Sequence, residues 1–225
     1  MEPVAHIRSD FSGKFGVPRQ AGLVAELRAA IVFEPLFRTP EALRGIEGFS
    51  HLWLIWEFSQ NRDAGWSPTV RPPRLGGNRR VGVFASRSPF RPNPIGLSCV
   101  GLERVELETS EGPVLYVSGA DLVDGTPILD IKPYVPYADC HPEASGGFAA
   151  APPEGKLAVS IPPALLDRVP PDRREALPGV LAQDPRPPYQ DDPDRVYGFG
   201  FAGLEVRFTV RDGALTVVDI TDRTR

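Results

Sequence analysis

"GLSCVGLERVELE", residues 96–108, decides the fold class. Its second half alternates, Val105 and Leu107 against Arg104, Glu106 and Glu108, which is the period-two pattern of a strand with one wet face. Outward from it, "VGVFAS" (81–86) and "VLYVSG" (114–119), then "HLWLIWEF" (51–58) and "AAIVFEP" (29–35), are short runs of β-branched and aromatic residues. Gly, Pro and Asn clusters bound them, as they bound strands. With no amphipathic helices between these runs, the sequence predicts a mainly β barrel or sandwich over residues 1–138, not a doubly wound parallel sheet. One brief helix is expected in "TPEALRGIEG" (39–48), capped by Thr39, with Pro40 in its first turn and Gly48 as its stop.

Residues 139–155 are rich in Pro, Gly and Ala and read as a linker or long loop. Beyond them a small α+β domain is expected over 156–225. "PPALLDRVPPDRREALPGVLAQ" (162–183) gives one or two short helices broken by prolines. "EVRFTVRDGALTVVDITD" (205–222) alternates on both sides of Asp212–Gly213, a hairpin signal. "GFGFAG" (198–203) matches the dinucleotide fingerprint, but Leu204–Val210 after it alternates like a strand. A nucleotide site there needs a helix N-terminus, so glycines in a bent strand are the better reading.

Composition excludes several classes. The chain has 225 residues, 41% of them apolar, enough for a core. No apolar run reaches the roughly 20 residues of a membrane span, and Met1–Asp10 has no secretion-signal pattern. Cys99 and Cys140 are far apart without CxxC spacing, which suits a reduced, cytoplasmic protein. The three histidines lack ligand spacing, so no metal is expected.

Charge is unevenly placed. The chain carries −4 overall, yet residues 71–99, "RPPRLGGNRRVGVFASRSPFRPNPIGLSC", hold six arginines, five prolines and no carboxylate. An isolated basic run is commonly a solvated loop; the missing acids and the stiff Pro/Gly path argue for a phosphate-bearing partner. Arg71, Arg74, Arg79, Arg80 and Arg91 are the candidate RNA contacts there. Phe84 and Phe90 offer stacking surface, although core positions are the first expectation for them. A second constellation, "ADLVDGTPILDIKPYVPYAD" (120–139), sets Asp121, Asp124, Asp130 and Asp139 among Lys132, Tyr134 and Tyr137. Turn capping accounts for Asp139; it accounts less well for two acids flanking two apolar residues in "DLVDGTP". The basic, Gly/Pro-rich "KFGVPRQAGL" (14–23) is the third.

These stretches, together with "GIEGFSHLWLIWEF" (45–58) and "VLAQDPRPPYQ" (180–190), resemble the TsaA-like, or TrmO, family over nearly the whole chain. The resemblance implies a β-barrel methyltransferase using S-adenosylmethionine, homodimeric, with the anticodon stem-loop of tRNA as partner. The implied substrate is N6-threonylcarbamoyladenosine next to the anticodon, chiefly in threonine tRNA. It assigns the cofactor to Gln20, Ala21, Gly22, Ser59, Gln60, Arg87, Leu97, Asp121, Leu122, Val123 and Asp124. Ser9-Asp10-Phe11 stands where the family has Ser-Pro-aromatic, and Phe58-Ser59 where it has Phe-His. Transfer from a sulfonium needs positioning and a place for a proton. Asp124 and Tyr134 are the leading base candidates, beside Asp121 and the substrate's own carboxylate; Lys132 or an arginine would meet that carboxylate. A small-molecule methyltransferase on the same barrel and a non-catalytic RNA-binding module are the alternatives.

Overall fold

The computed structural model describes residues 1–151, 155–187, 190 and 192–223. Residues 152–154 of the expected linker, Pro188 and Tyr189 of the 180–190 motif, Asp191 and residues 224–225 lie outside the described residues. The first part of the chain forms β1 (Ala5–Arg8), β2 (Arg28–Phe33), β3 (His51–Glu57), β4 (Thr69–Val70), β5 (Val81–Gly82), β6 (Ile95–Glu106), β7 (Val114–Ser118) and β8 (Pro127–Pro133). Six of these close a barrel in the order β1-β2-β7-β6-β3-β8, with β8 returning to β1. Every neighbouring pair is antiparallel.

Between barrel and sandwich, β6 makes the difference. Its twelve residues pair with β3 through Ile95–Gly101 and with β7 through Gly101–Glu106. A register shift between Leu102 and Arg104 bends the strand where it changes partner, as bulges do. Alternate residues of β3, Leu52, Leu54 and Trp56, point inward against Ile7, Ile31, Val100, Leu115, Val117 and Ile128. Each such aliphatic burial contributes about 1.5–3 kcal/mol. Closure also leaves the barrel no unpaired strand edge.

The expected helix over 39–48 does not form. Two 3₁₀ turns, Pro40–Leu43 and Ile46–Gly48, take its place. Gly45 between them is left-handed (φ 86°), and Thr39 Oγ1 donates to the Glu41 carboxylate (2.7 Å) instead of capping the backbone.

After α1 (Pro136–Asp139), the second part of the chain forms β9 (Ala158–Ser160), α2 (Pro163–Leu166), α3 (Ala176–Ala182), β10 (Tyr197–Phe201), β11 (Leu204–Arg211) and β12 (Ala214–Asp222). The sheet order is β10-β11-β12-β9, with β9 parallel to β12. Asp212 (φ 50°) and Gly213 (φ 75°) make the β11–β12 turn, the two-residue geometry expected of Asp-Gly. "GFGFAG" runs through β10 into a turn and then β11, with no helix after it. The core of this part joins Phe199, Phe201, Phe208 and Ile220 to Leu177, Val180 and Leu181 of α3. It also takes in Phe11, Val24 and Leu27 from the loop after β1. Gly16 lies so close to the Phe199 ring that an added Cβ would stand 2.2 Å from it. The loop 9–27 is thereby clamped between the barrel and the second sheet.

Strand direction then places the site. β1, β3 and β7 end, and β2, β6 and β8 begin, at one rim of the barrel. The segments 9–27, 58–94 and 119–126 all emerge there, which brings three distant stretches of sequence together.

Candidate active site

Those three segments enclose a cavity of about 790 Å³, within the range of small-molecule sites. Lys14, Arg19 and Gln20 line one side, Trp56–Asn61 and Ile95–Leu97 another, and Asp121–Val123 with Thr126 a third. Phe84, Arg87 and Arg91 reach it from the segment between β5 and β6.

The deepest polar feature is a hydrogen-bonded line across the barrel wall. Trp56 Nε1 donates to Ser98 Oγ (3.0 Å), and Ser98 Oγ donates to Asp121 Oδ1 (2.5 Å). Because the indole can only donate, the hydroxyl proton is committed to the carboxylate. Gly96 makes room for this arrangement, since an added Cβ would sit 2.3 Å from the Trp56 ring. Phe58 packs on the same indole at 4.3 Å between centroids. Burial holds the Asp121 carboxyl above its ordinary range, and Ser98, the Asp121 and Ala21 amides and the Arg87 charge pull it back toward ionisation. Glu57, the other carboxylate on the cavity, is bound by Arg62 through two hydrogen bonds (2.8 and 2.6 Å). Asp121 is therefore the carboxylate left for a bound ligand, facing Lys14, Arg19, Arg87 and Arg91.

Of the residues the resemblance assigns to the cofactor, Gln20, Ser59, Gln60, Arg87, Leu97, Asp121, Leu122 and Val123 line the cavity. Arg87 donates to the Gln20 side-chain carbonyl and so ties two of the segments together. Ala21 and Gly22 lie just behind, with Gly22 N–H donating to Gly119 C=O (2.8 Å). Asp124 is turned away: its carboxylate accepts from Ser9 N–H (3.0 Å) and faces a separate cleft with Asp10 and Arg173. Tyr134 is also off the cavity, at the opposite rim, packed on Trp53 and His51 at 5.8 and 6.2 Å. Of the three side chains weighed as base, Asp121 alone lines the cavity.

The basic residues separate too. Arg71, Arg79 and Arg80 are exposed on the flap formed by residues 66–93, and Arg91 is half-buried, donating to Ser86 C=O (3.1 Å). Arg74 donates to Ala151 C=O, and Arg80 to Thr69 Oγ1 (2.8 Å). Lys132 is on the outer face of β8, paired with Asp130 (2.8 Å) and distant from the flap. Phe84 and Phe90, expected in the core, are exposed; Val83 is the residue that packs inward. Trp56, Gly96 and Ser98 escaped sequence reading, although a serine at an inward position of β6 is the signal that finds it.

The N-terminal domain of tRNA-methyltransferase O matches residues 6–140, and the C-terminal domain of TrmO matches residues 157–223. The chain belongs to the tRNA-methyltransferase O family. It is 42% identical to the tRNA (adenine(37)-N6)-methyltransferase of Escherichia coli over 99% of this chain and 97% of that protein. It is 43% identical to a Pseudomonas aeruginosa protein named putative S-adenosylmethionine-dependent methyltransferase RcsF, over 98% and 96%. A crystal structure of TrmO from Pseudomonas aeruginosa superposes with a TM-score of 0.79 at 37% identity, covering 98% of this chain and 96% of that one. Within the TrmO family pattern, Ser59 lies exposed on the cavity wall, and Asp10 is occupied by an ion pair with Arg173 Nε (2.9 Å).

Proposed function

We propose that this protein transfers a methyl group from S-adenosylmethionine to N6 of the adenosine beside the anticodon of tRNA, taking N6-threonylcarbamoyladenosine as the form methylated. The observation that carries the reading is the cavity itself, with one carboxylate that has no ion-pair partner among the described residues, four cations and an apolar floor beneath an arginine-rich flap.

The donor set fits the cofactor. S-adenosylmethionine presents an amino-acid carboxylate, an ammonium, a ribose and an adenine, and it supplies a methyl group already activated on sulfonium sulfur. Arg87, Gln20, Ser59 and Gln60 are the residues to hold its polar ends, and Asp121 the residue to meet its positive charge. Trp56, Phe58 and Leu122 give the flat apolar surface and keep water from the reacting atoms. Asp121 is also the proton acceptor in this reading, because its raised pKa keeps it basic enough to take an acidified amide-like proton. The excess of Lys14, Arg19 and Arg91 over carboxylates suits a substrate base that brings its own carboxylate.

Direct base contacts are not needed for the phosphates; Arg71, Arg79 and Arg80 supply charge for them. A homodimer and a cytoplasmic setting complete the reading, resting on the family resemblance and on tRNA as substrate. Among the described residues no helix is long and apolar enough to cross a membrane.

The test combines calorimetry with S-adenosylmethionine and transfer of labelled methyl to bulk tRNA. The reading predicts binding, at least a tenfold loss of affinity in Asp121→Ala with the circular dichroism spectrum retained, and label in tRNA. Binding without label in tRNA would favour the small-molecule methyltransferase instead.

A further inference from the structure

We infer that the flap is a clamp for unstacked RNA, in which Phe84 is the stacking face for the base entering the cavity and Trp66 holds a neighbouring nucleotide. This rests on the function proposed above. Phe84 is 76% exposed and Trp66 57%, both on the flap, whose backbone is cross-bonded at several points. Val83 is buried, and its N–H donates to Pro68 C=O (3.0 Å). Ser86 Oγ donates to Val83 C=O (2.8 Å), and Ser67 N–H to Phe90 C=O (3.2 Å), which ties the backbone next to Trp66 to that of Phe90. A 3₁₀ turn over Val83–Ala85 thus drives Val83 inward and holds the Phe84 ring out at the cavity mouth. Phe84 differs from a singly exposed apolar residue in lining the cavity, where its ring faces whatever enters.

Charge identifies the occupant. Arg71, Arg79 and Arg80 share the flap, and none has a carboxylate within ion-pair distance among the described residues. A partner that satisfies cations and flat apolar rings together is a single-stranded nucleic acid, whose phosphates and base faces alternate at that scale. A second copy of this chain fits worse, since a two-fold contact centred on the flap would set the same arginines against each other. The cavity adds the chemical reason. An adenine nitrogen reaches Asp121 only if the base leaves its stack, and an aromatic ring at the mouth offsets the lost stacking.

The experiment measures binding of a fluorescent anticodon stem-loop RNA by anisotropy for the full chain and for Phe84→Ala, Phe84→Leu, Phe84→Tyr and Trp66→Ala. S-adenosylmethionine calorimetry and sedimentation velocity accompany each variant. The clamp predicts about 5- to 150-fold weaker RNA binding for Phe84→Ala and Phe84→Leu, the range for losing one base–aromatic stack. It predicts near-native binding for Phe84→Tyr, a smaller loss for Trp66→Ala, unchanged sedimentation throughout, and unchanged cofactor affinity for Trp66→Ala, which lies off the cavity. Full RNA binding by Phe84→Leu overturns it, because any apolar residue would then serve. A changed oligomeric state in Phe84→Ala overturns it in favour of a subunit contact, and absence of RNA binding by the unmodified chain overturns it outright. Methyl transfer is read separately: Phe84-dependent RNA binding without transfer upholds the clamp and refutes the proposed reaction.

Discussion

Two regions of this molecule use arginine in opposite ways. In the second half of the chain, Arg168, Arg173, Arg174, Arg186, Arg211 and Arg223 each face a carboxylate, at 2.8–3.9 Å. On the flap, Arg71, Arg79, Arg80, Arg87 and Arg91 face amides, hydroxyls, carbonyls or solvent, but no described carboxylate lies within ion-pair distance. The same side chain meets a counter-charge in one place and keeps its charge uncompensated by an ion pair in the other. What differs is the sequence around it: acids interleave with bases after residue 157, and none occurs from 71 to 99. A positive field survives only where the chain withholds its own counter-charges.

The sharpest way to break that comparison is to neutralise the flap. Changing Arg71, Arg79 and Arg80 to Ala should weaken tRNA binding at low salt by at least about tenfold. The slope of log affinity against log salt should become shallower by about 2 to 3, at about 0.7–0.9 for each phosphate no longer neutralised. Calorimetry should show S-adenosylmethionine affinity unchanged.

The tied arginines should instead register in stability. Arg173 is the strongest case, because its partner Asp10 is largely buried, and burial, with the Asp172 and Asp124 charges, pushes the Asp10 carboxyl up against the pull of Arg173. Arg173→Ala leaves that carboxylate uncompensated, for a loss of about 2–4 kcal/mol in urea denaturation at pH 7. An ionised group with a raised pKa costs stability above that pKa, and the cost fades as pH falls toward the ordinary carboxylate range. The loss should therefore shrink near pH 4, and adding Asp10→Asn should restore most of it. RNA binding by the folded variant should be native.

Asp121 obeys the same sign. Its pKa is raised by burial, so Asp121→Asn should raise Tm at pH 7, with the gain vanishing as pH falls through about 4. Affinity for S-adenosylmethionine should fall in the same variant, separating a functional charge from a stabilising one. The smallest effect belongs to Arg211, whose ion pair with Asp194 is exposed on both sides. Arg211→Ala should leave the urea midpoint unmoved, as exposed pairs generally do.

Much of this was legible in the sequence because its signals are local. The Asp212–Gly213 hairpin follows from two positions that tolerate positive φ, and the strands follow from β-branched and aromatic runs such as 51–58 and from the alternation over 104–108. Closure into a barrel follows less directly, from a strand long enough to change partners midway. The helix expected at 39–48 failed because Gly45 is left-handed, and composition alone does not reveal the sign of a glycine φ. Side-chain direction was the harder problem. Asp121 and Asp124 are three residues apart, but the turn at Asp124–Gly125 sends one into the cavity and the other onto Ser9. Tyr134 follows β8, whose seven residues carry the chain about 20 Å from the cavity rim. Phe84 and Phe90 were expected inside because apolar residues usually are; the flap has one inward position there, and Val83 takes it.

The central claim is that the cavity holds the methyl donor while the flap brings an adenosine of tRNA to it. Its most direct test is to incubate the protein with labelled S-adenosylmethionine and tRNA, digest the product, and locate the label by mass spectrometry. The account predicts methyl on N6 of the threonylcarbamoylated adenosine next to the anticodon, abolished by Asp121→Ala and weakened by the three-arginine variant. Label at another nucleotide, or S-adenosylmethionine bound with no label in tRNA, would contradict it.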